Sequence, residues 1–170
     1  MQATTKIRAA QPADAVVIFQ LIGELADYEH LRHEVVGSIE DLRAHLFSEP
    51  RYAHALVAEW DGEVVGFALY FFSYSTFLCR PGIYLEDLFV RPSMRGRGVG
   101  LGLLSALEQR ARELGCGRFE WAVLNWNQSA IDFYHRFGAH PHDGWTVYRK
   151  ELITAPTLPG ATDSVPRGLA

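Results

Sequence analysis

The stretch Tyr84 to Leu104, YLEDLFVRPSMRGRGVGLGLL, limits the folds open to this chain more than any other part of it. Its opening run, Tyr84 to Val90, reads as a strand with apolar residues on both faces, the pattern of a strand inside a covered sheet. The run breaks at Arg91-Pro92, passes through Arg95-Gly96-Arg97-Gly98-Val99-Gly100 and enters a leucine-rich helix. Strand, glycine-rich turn and helix start together make a device for holding phosphate. Glycines permit tight geometry and close approach, and a helix start points unpaired N–H groups at an anion. Arg95 and Arg97 can add charge-assisted hydrogen bonds. No Lys-Ser/Thr pair follows the glycines, so the turn is not a Walker loop. The glycine spacing also differs from a dinucleotide fingerprint, and no βαβ unit begins there. The bland alternative is a basic turn that binds nothing.

The chain has 170 residues, enough for one domain with a sizeable core. Hydrophobic residues make up 48% and charged residues 21%, as in an ordinary folded globule. A net charge of -4 argues against nucleic acid and favours a cationic small molecule as guest. Cys79 and Cys116 form neither a disulfide framework nor a metal motif and read as free thiols. Residues 1–20 lack the organisation of a signal peptide, and no apolar run reaches membrane-spanning length. A cytoplasmic protein with no membrane partner is the expectation.

Thr5 to Ala9 reads as a first strand. Asp14 to Tyr28 reads as a helix with Ile18, Leu21, Ile22 and Leu25 on one face. Glu24, Asp27 and Glu29 crowd its C-terminal half, where the helix dipole disfavours acids. Either solvent screens them or a cationic ligand sits nearby. Ser38 is an N-cap for a helix from Ile39 to Phe47. Tyr52 to Trp60 and Val64 to Ser75 read as strands joined by a hairpin turn at Asp61-Gly62. The aromatic run Tyr70 to Phe77 is either packing, a dimer face or an apolar wall beside a ligand. Leu101, Leu104, Leu107, Ala111 and Leu114 form an expected buried stripe, and Gly115 stops that helix. Arg118 to Leu124 and Trp145 to Leu152 read as strands, with a helix from Asn127 to Phe137 between them. Residues 1–153 then form one α/β domain, a mixed sheet with helices on both faces. Residues 154–170, rich in Pro, Gly, Ser and Thr, read as a flexible C-terminal tail without chemistry of its own.

Two acids interrupt the central strand. By simple alternation Glu86 and Asp87 point to opposite faces, and such charges are costly unless paired or useful. Glu86 reads as a general base for a protonated amine, or as its holder, against the plainer reading of a salt bridge. Tyr134 lies beside the apolar stripe Ala130, Phe133 and Phe137, and its plain reading is core. Asn127 opens that helix as an N-cap. Seven histidines include the close pairs His30/His33 and His140/His142, but none forms a metal motif, so no metal is expected. Trp145, after Asp143-Gly144, reads as a wall for an aliphatic amine or as core.

Arg95-x-x-Gly98-x-Gly100 resembles the acyl-coenzyme A site of the GNAT N-acetyltransferase superfamily, whose pattern is Arg/Gln-x-x-Gly-x-Gly/Ala. Other segments are similar to the diamine (spermidine/spermine) N-acetyltransferase family, which includes thialysine acetyltransferases. These are Glu24-Leu25-Ala26-Asp27-Tyr28-Glu29, Tyr84-Leu85-Glu86-Asp87-Leu88-Phe89-Val90, Ala122-Val123-Leu124-Asn125-Trp126-Asn127 and Asp143-Gly144-Trp145. The resemblance runs from about Lys6 to Leu152 and implies the acyl-CoA N-acyltransferase fold, in which two central parallel strands splay apart. It implies acetyl-CoA as co-substrate, held by Leu88, Phe89, Val90, Arg95, Gly96, Arg97, Gly98, Val99, Gly100, Asn127 and Tyr134. Tyr134 inherits the role of acid toward the departing thiolate and Glu86 that of base. Glu29, Glu86, Asp87, Asp143 and Trp145 become the amine-binding set. The implied reaction is direct acetyl transfer to a primary amine, first a diamine or polyamine, then thialysine or a lysine-like amino acid. Peptide amines, or a non-catalytic acyl-CoA sensor or interaction module, are the other classes. A homodimer is implied as well. His140-Pro141-His142 replaces an often acidic loop of the family, a departure that favours a shorter amine or an amino acid side chain.

Overall fold

The computed structural model describes residues 5–152, so the expected tail at 154–170 lies outside the described residues. The elements are β1 (Thr5–Ala9), α1 (Ala15–Tyr28), α2 (Ile39–Phe47), β2 (His54–Trp60) and β3 (Glu63–Ser75). They continue with β4 (Arg80–Val90), α3 (Val99–Glu113), β5 (Arg118–Trp121) and α4 (Gln128–Arg136). The strands form one sheet in chain order, β1-β2-β3-β4-β5. The first three pairings are antiparallel, and β4 with β5 is parallel. This is the mixed α/β sheet expected from the order of elements.

Local signals set most of these boundaries. Asp61 and Gly62 both take positive φ, 50° and 85°, the geometry a two-residue hairpin between β2 and β3 requires. The Ser38 hydroxyl accepts the Asp41 N–H at 3.1 Å and starts α2. Arg8 on β1 donates to Glu59 on β2 and to the nearly buried Asp14 before α1, both at 2.6 Å. That fork ties the sheet edge to the first helix. The guanidinium also holds the Asp14 carboxyl below its usual range.

Both sheet faces are covered, which explains why β2, β3 and β4 do not alternate cleanly. On one face Ala58, Ala68, Ile83 and Leu85 meet Leu103, Leu104 and Leu107 of α3. On the other, Val57, Phe67 and Phe89 meet Ile18 and Leu21 of α1 and Leu46 of α2. The buried stripe of α3 is Val99, Leu103, Leu104, Leu107 and Ala111, whereas Leu101 and Leu114 are exposed. Leu104, Leu107 and Ala111 are buried as expected, while Val99 and Leu103 replace Leu101 and Leu114, because the helix begins at Val99 and every fourth residue from there faces the sheet.

Two strand expectations are corrected. β5 ends at Trp121 rather than Leu124. Trp145 to Leu152 is not a strand among the described residues, and Val147 and Tyr148 are 86% and 93% exposed. The segment has strand-forming residues but no neighbouring edge hydrogen-bonded to it, and pairing is what makes a strand.

The run Tyr70 to Phe77 divides along the β3–β4 hairpin. Tyr70 is buried, Phe71 stacks on Tyr84 at 5.1 Å, and Phe72, Tyr74 and Phe77 are exposed.

Candidate active site

The parallel ladder between β4 and β5 runs only from Gly82↔Arg118 to Leu85↔Trp121. β4 continues to Val90 while β5 has ended, so the two chains part. A cavity of about 610 Å³ lies in the gap. Leu88, Phe89 and Val90 line one side and Trp121 to Leu124 the other. Tyr134 of α4 and Tyr28 and Glu29 at the end of α1 complete the walls.

One end of the cavity is the glycine turn. Gly96 and Gly98 sit at φ 73° and 80°, which other residues reach only with strain, and an added Cβ at either would face open space. Gly98 is the residue before α3 and offers no side-chain cap, so the first N–H groups of that helix face the cavity end uncapped. A diphosphate fits such a cradle. Arg95, Gly96, Gly98, Val99 and Gly100 line the cavity, and Arg97 does not. The Arg95 Nε donates to the Val90 carbonyl at 3.1 Å, and its guanidinium lies 4.7 Å from the Tyr28 ring centre. Arg97 instead lies over Trp60 at 5.4 Å. Asn127 also lines the cavity. Its Oδ1 caps α4 by accepting the Ala130 N–H at 3.2 Å.

The acids crowding the end of α1 separate in space. Glu24 pairs with Arg91 and Asp27 with Arg32, each at 3.0 Å. Glu29 alone reaches the cavity, where burial pushes its carboxyl up. Glu86 and Asp87 do not take opposite faces. Leu69 pairs with Asp87 and its neighbour Tyr70 with Leu85, so Glu86 is an extra, bulged residue. Leu85 and Leu88 consequently pack on the same cluster although they are three apart, and both acids between them line the cavity. Among the described residues none of Glu29, Glu86 and Asp87 forms an ion pair. Burial, with the charges of Glu86 and Glu29, pushes Asp87 up to about 7. Burial, with Glu29 and Asp87, pushes the Tyr134 hydroxyl up to about 12. The site sets three carboxyl groups without ion-pair partners beside a phenol, a setting for a cation and proton transfer.

Asp143 and Trp145 are not brought to the cavity. Trp145 is 73% exposed and stacks on His142, because residues 143–150 have no strand or helix holding them against the site. Conversely, the cavity is also lined by Tyr28, Met94, Trp121, Ser129 and Arg136. Only Tyr28 had a signal, as part of an acid-rich helix end; the others depend on where the strands part. Among the described residues no cluster of three His, Cys, Asp or Glu is set to hold a metal ion. No described helix is long and apolar enough to cross a membrane.

The half-buried Asp87 carboxyl has a stability consequence. Its folded-state value lies above the ordinary 3.8, so the folded state binds the proton more tightly than the unfolded chain. Stability from this group is full below 3.8 and is lost as pH rises through about 7. Asp87→Asn is expected to raise Tm by about 3–8 °C at pH 8 and by less at pH 5, read by scanning calorimetry. An equal or negative shift at pH 8 contradicts the buried-charge account.

Residues 21–139 match the model of the Acetyltransferase (GNAT) family. The thialysine N-epsilon-acetyltransferase of Mus musculus is 41% identical over 160 residues, covering 88% of this chain and 94% of the relative. The L-ornithine N5-acetyltransferase of Arabidopsis thaliana is 31% identical, covering 85% and 83%. A solved integron cassette protein of V. cholerae superposes with a TM-score of 0.73 at 28% identity, covering 86% of this chain and 92% of that one. The match across strand, glycine turn and late helix, joined to the parted strands and the cavity between them, has one reading: the chain belongs to the GNAT family of acetyltransferase enzymes.

Proposed function

We propose that the protein acetylates the terminal amine of a free basic amino acid of the thialysine, lysine or ornithine type, using acetyl-coenzyme A. The observation that carries this is the trio Glu29, Glu86 and Asp87, without ion-pair partners and beside Tyr134 in a cavity that begins at the glycine turn. Similarity to thialysine and ornithine acetyltransferases supports the substrate class. Arg136 adds a feature suited to an amino acid. It lines the same cavity and offers a counter-charge to an α-carboxylate, which diamines lack. Asp143 outside the cavity removes one acid from the set a long polyamine would use. Diamines and polyamines therefore become the second reading, supported by the same carboxylates.

In this mechanism both substrates are bound together. The cradle from Arg95 to Gly100 anchors the diphosphate, and the carboxylates hold the ammonium and take its proton. The amine then attacks the thioester carbon. Beyond Leu85 the side of β4 that had faced β5 has no strand beside it, so a main-chain N–H there is available to the developing oxyanion. Tyr134, whose raised value keeps it protonated at neutral pH, supplies the thiolate with a proton. The proposed assembly is a homodimer. The exposed Phe72, Tyr74, Phe77 and Leu78 at the β3–β4 hairpin are apolar surface that a second copy would cover.

Catalytic efficiency across thialysine, lysine, ornithine, putrescine, spermidine, spermine and an N-terminal peptide tests the substrate class. Preference for the amino acids of about tenfold or more, about 1.4 kcal/mol, is expected. A polyamine or the peptide leading by that margin refutes it. Gly98→Val, which strains a left-handed position, should weaken acetyl-CoA binding by more than about tenfold in titration calorimetry. Unchanged affinity in the folded variant removes the assigned cradle. Tyr134→Phe should lower kcat by roughly 10- to 1,000-fold with little change in KM; full turnover excludes Tyr134 as the acid.

A further inference from the structure

Tyr28 is the last residue of α1, and its side chain meets three other parts of the site. The Arg95 guanidinium lies over its ring, 4.7 Å from the centre. Its hydroxyl donates to the Asn127 Oδ1 at 3.4 Å. The Trp126 ring lies 6.1 Å away, tilted by 48°. The next residue in the chain is Glu29, the carboxyl that α1 brings to the cavity. One half-buried ring therefore bridges the arginine of the glycine turn, the cap of α4 and an acid of the acceptor side.

These contacts leave Arg95 free for a ligand in one direction only. Its Nε donates to the Val90 carbonyl at 3.1 Å, and the guanidinium lies between the rings of Tyr28 and, at 5.6 Å, Phe89. A guanidinium placed by its Nε and its flat face still has its terminal N–H groups to offer, and a planar fork suits a phosphate. Among the described residues no carboxylate pairs with Arg95. On the other side of the ring the chain has little to hold it. α1 stops at Tyr28, and His30 turns away at φ 61°. The last turn of a helix lacks partners for its carbonyls and is the part that frays.

We infer that Tyr28 is a positioning residue that couples the two substrates, so that a donor held by Arg95 tightens the acceptor side and an acceptor held at Glu29 tightens the donor side. The inference rests on the acetyl-CoA and amine reading above. A phosphate that fixes the guanidinium fixes the ring stacked on it, and the ring carries Glu29 with it. An ammonium on Glu29 draws the end of α1 inward and seats the ring under the guanidinium. Cation and ring attract more strongly as water leaves, which filling the cavity brings about. Each ligand then raises the affinity of the other by one and the same factor. Phosphates also attract an ammonium through space, but that attraction does not pass through the ring and survives its removal.

The test measures this factor directly. Coenzyme A replaces acetyl-CoA so that nothing turns over, and titration calorimetry gives its affinity with and without a saturating amine, the best of the panel. Wild type should bind coenzyme A about fivefold more tightly with the amine present, about 1 kcal/mol, and the amine should gain by the same factor with coenzyme A present. Tyr28→Phe keeps the ring and should keep the factor. Tyr28→Leu and Arg95→Gln each remove one face of the stack and should bring the factor below about twofold, and the double variant should fall no further than either. A tyrosine that merely packs would lower both affinities in Tyr28→Leu and leave their coupling at the wild-type value, which overturns the inference. A wild-type factor below about twofold overturns it as well. Loss of the factor in Tyr28→Phe assigns the coupling to the Asn127 contact and overturns the route through Arg95. The Leu31 N–H to Ala26 carbonyl bond, at 2.8 Å, is main-chain and stays in every variant. If circular dichroism shows Tyr28→Leu unfolded, Arg95→Gln decides, and a factor retained there overturns the inference. Wild type that acetylates no amine overturns the functional reading itself, whereas an active wild type without the factor overturns only the coupling.

Discussion

The hydrogen-bond ladder between β4 and β5 stops at Leu85 and Trp121, and the rest of the site follows from that stop. A sheet interior normally satisfies its own main-chain groups. Here the chain of β5 leaves toward the cap of α4 while β4 runs on to Val90, so a groove floored by backbone opens inside the core. The same departure carries α4, and with it Tyr134, across the far wall. The end of α1 covers the groove from the other face through Tyr28, whose hydroxyl approaches the Asn127 Oδ1 at 3.4 Å. Glycine turn, phenol and acids come from four separate elements and meet only because two neighbouring strands stop pairing.

Much of this was legible from residues alone. The arginine-glycine turn marked the start of α3 and one end of the cavity, and hairpin, caps and apolar periods placed most elements within a few residues. What failed did so for identifiable reasons. Reading Glu86 and Asp87 on opposite faces assumed an unbroken period of two, and one extra residue cancels that assumption without leaving a mark in the sequence. The stripe of α3 is legible at Leu104, Leu107 and Ala111 but not at its ends, because the helix starts at Val99, inside the glycine run, and buries Val99 and Leu103 instead of Leu101 and Leu114. Trp145 to Leu152 has the composition of a strand, and composition does not supply the neighbour a strand requires. Arg97 resembles Arg95 in sequence but finds the Trp60 ring instead of the cavity.

The acids of this chain show how little a charge count says about chemistry. Of the three at the end of α1, two are neutralised by arginines distant or near in sequence, and one is left facing the groove. Which one is left depends on helix rotation and on where Arg91 and Arg32 lie. The charges of Glu86 and Glu29, added to burial, raise the proton affinity of Asp87, a cost to the fold that a cationic guest relieves. The site is therefore less stable empty than filled, as is common where function is placed inside a core.

The sheet divides the apolar interior into two clusters that share strands but not helices. One seats α3, with α4 packed against it, and so positions the glycine turn and Tyr134. The other seats α1 and α2, and so positions Glu29 and the wall that an acceptor meets. Substitutions that tilt α1 can alter which acceptors fit while the opposite cluster keeps the donor in register. Such a division lets an ancestral scaffold diversify its acceptors without re-evolving its donor, and it marks α1 and α2 as the half to randomise when a new acceptor is sought.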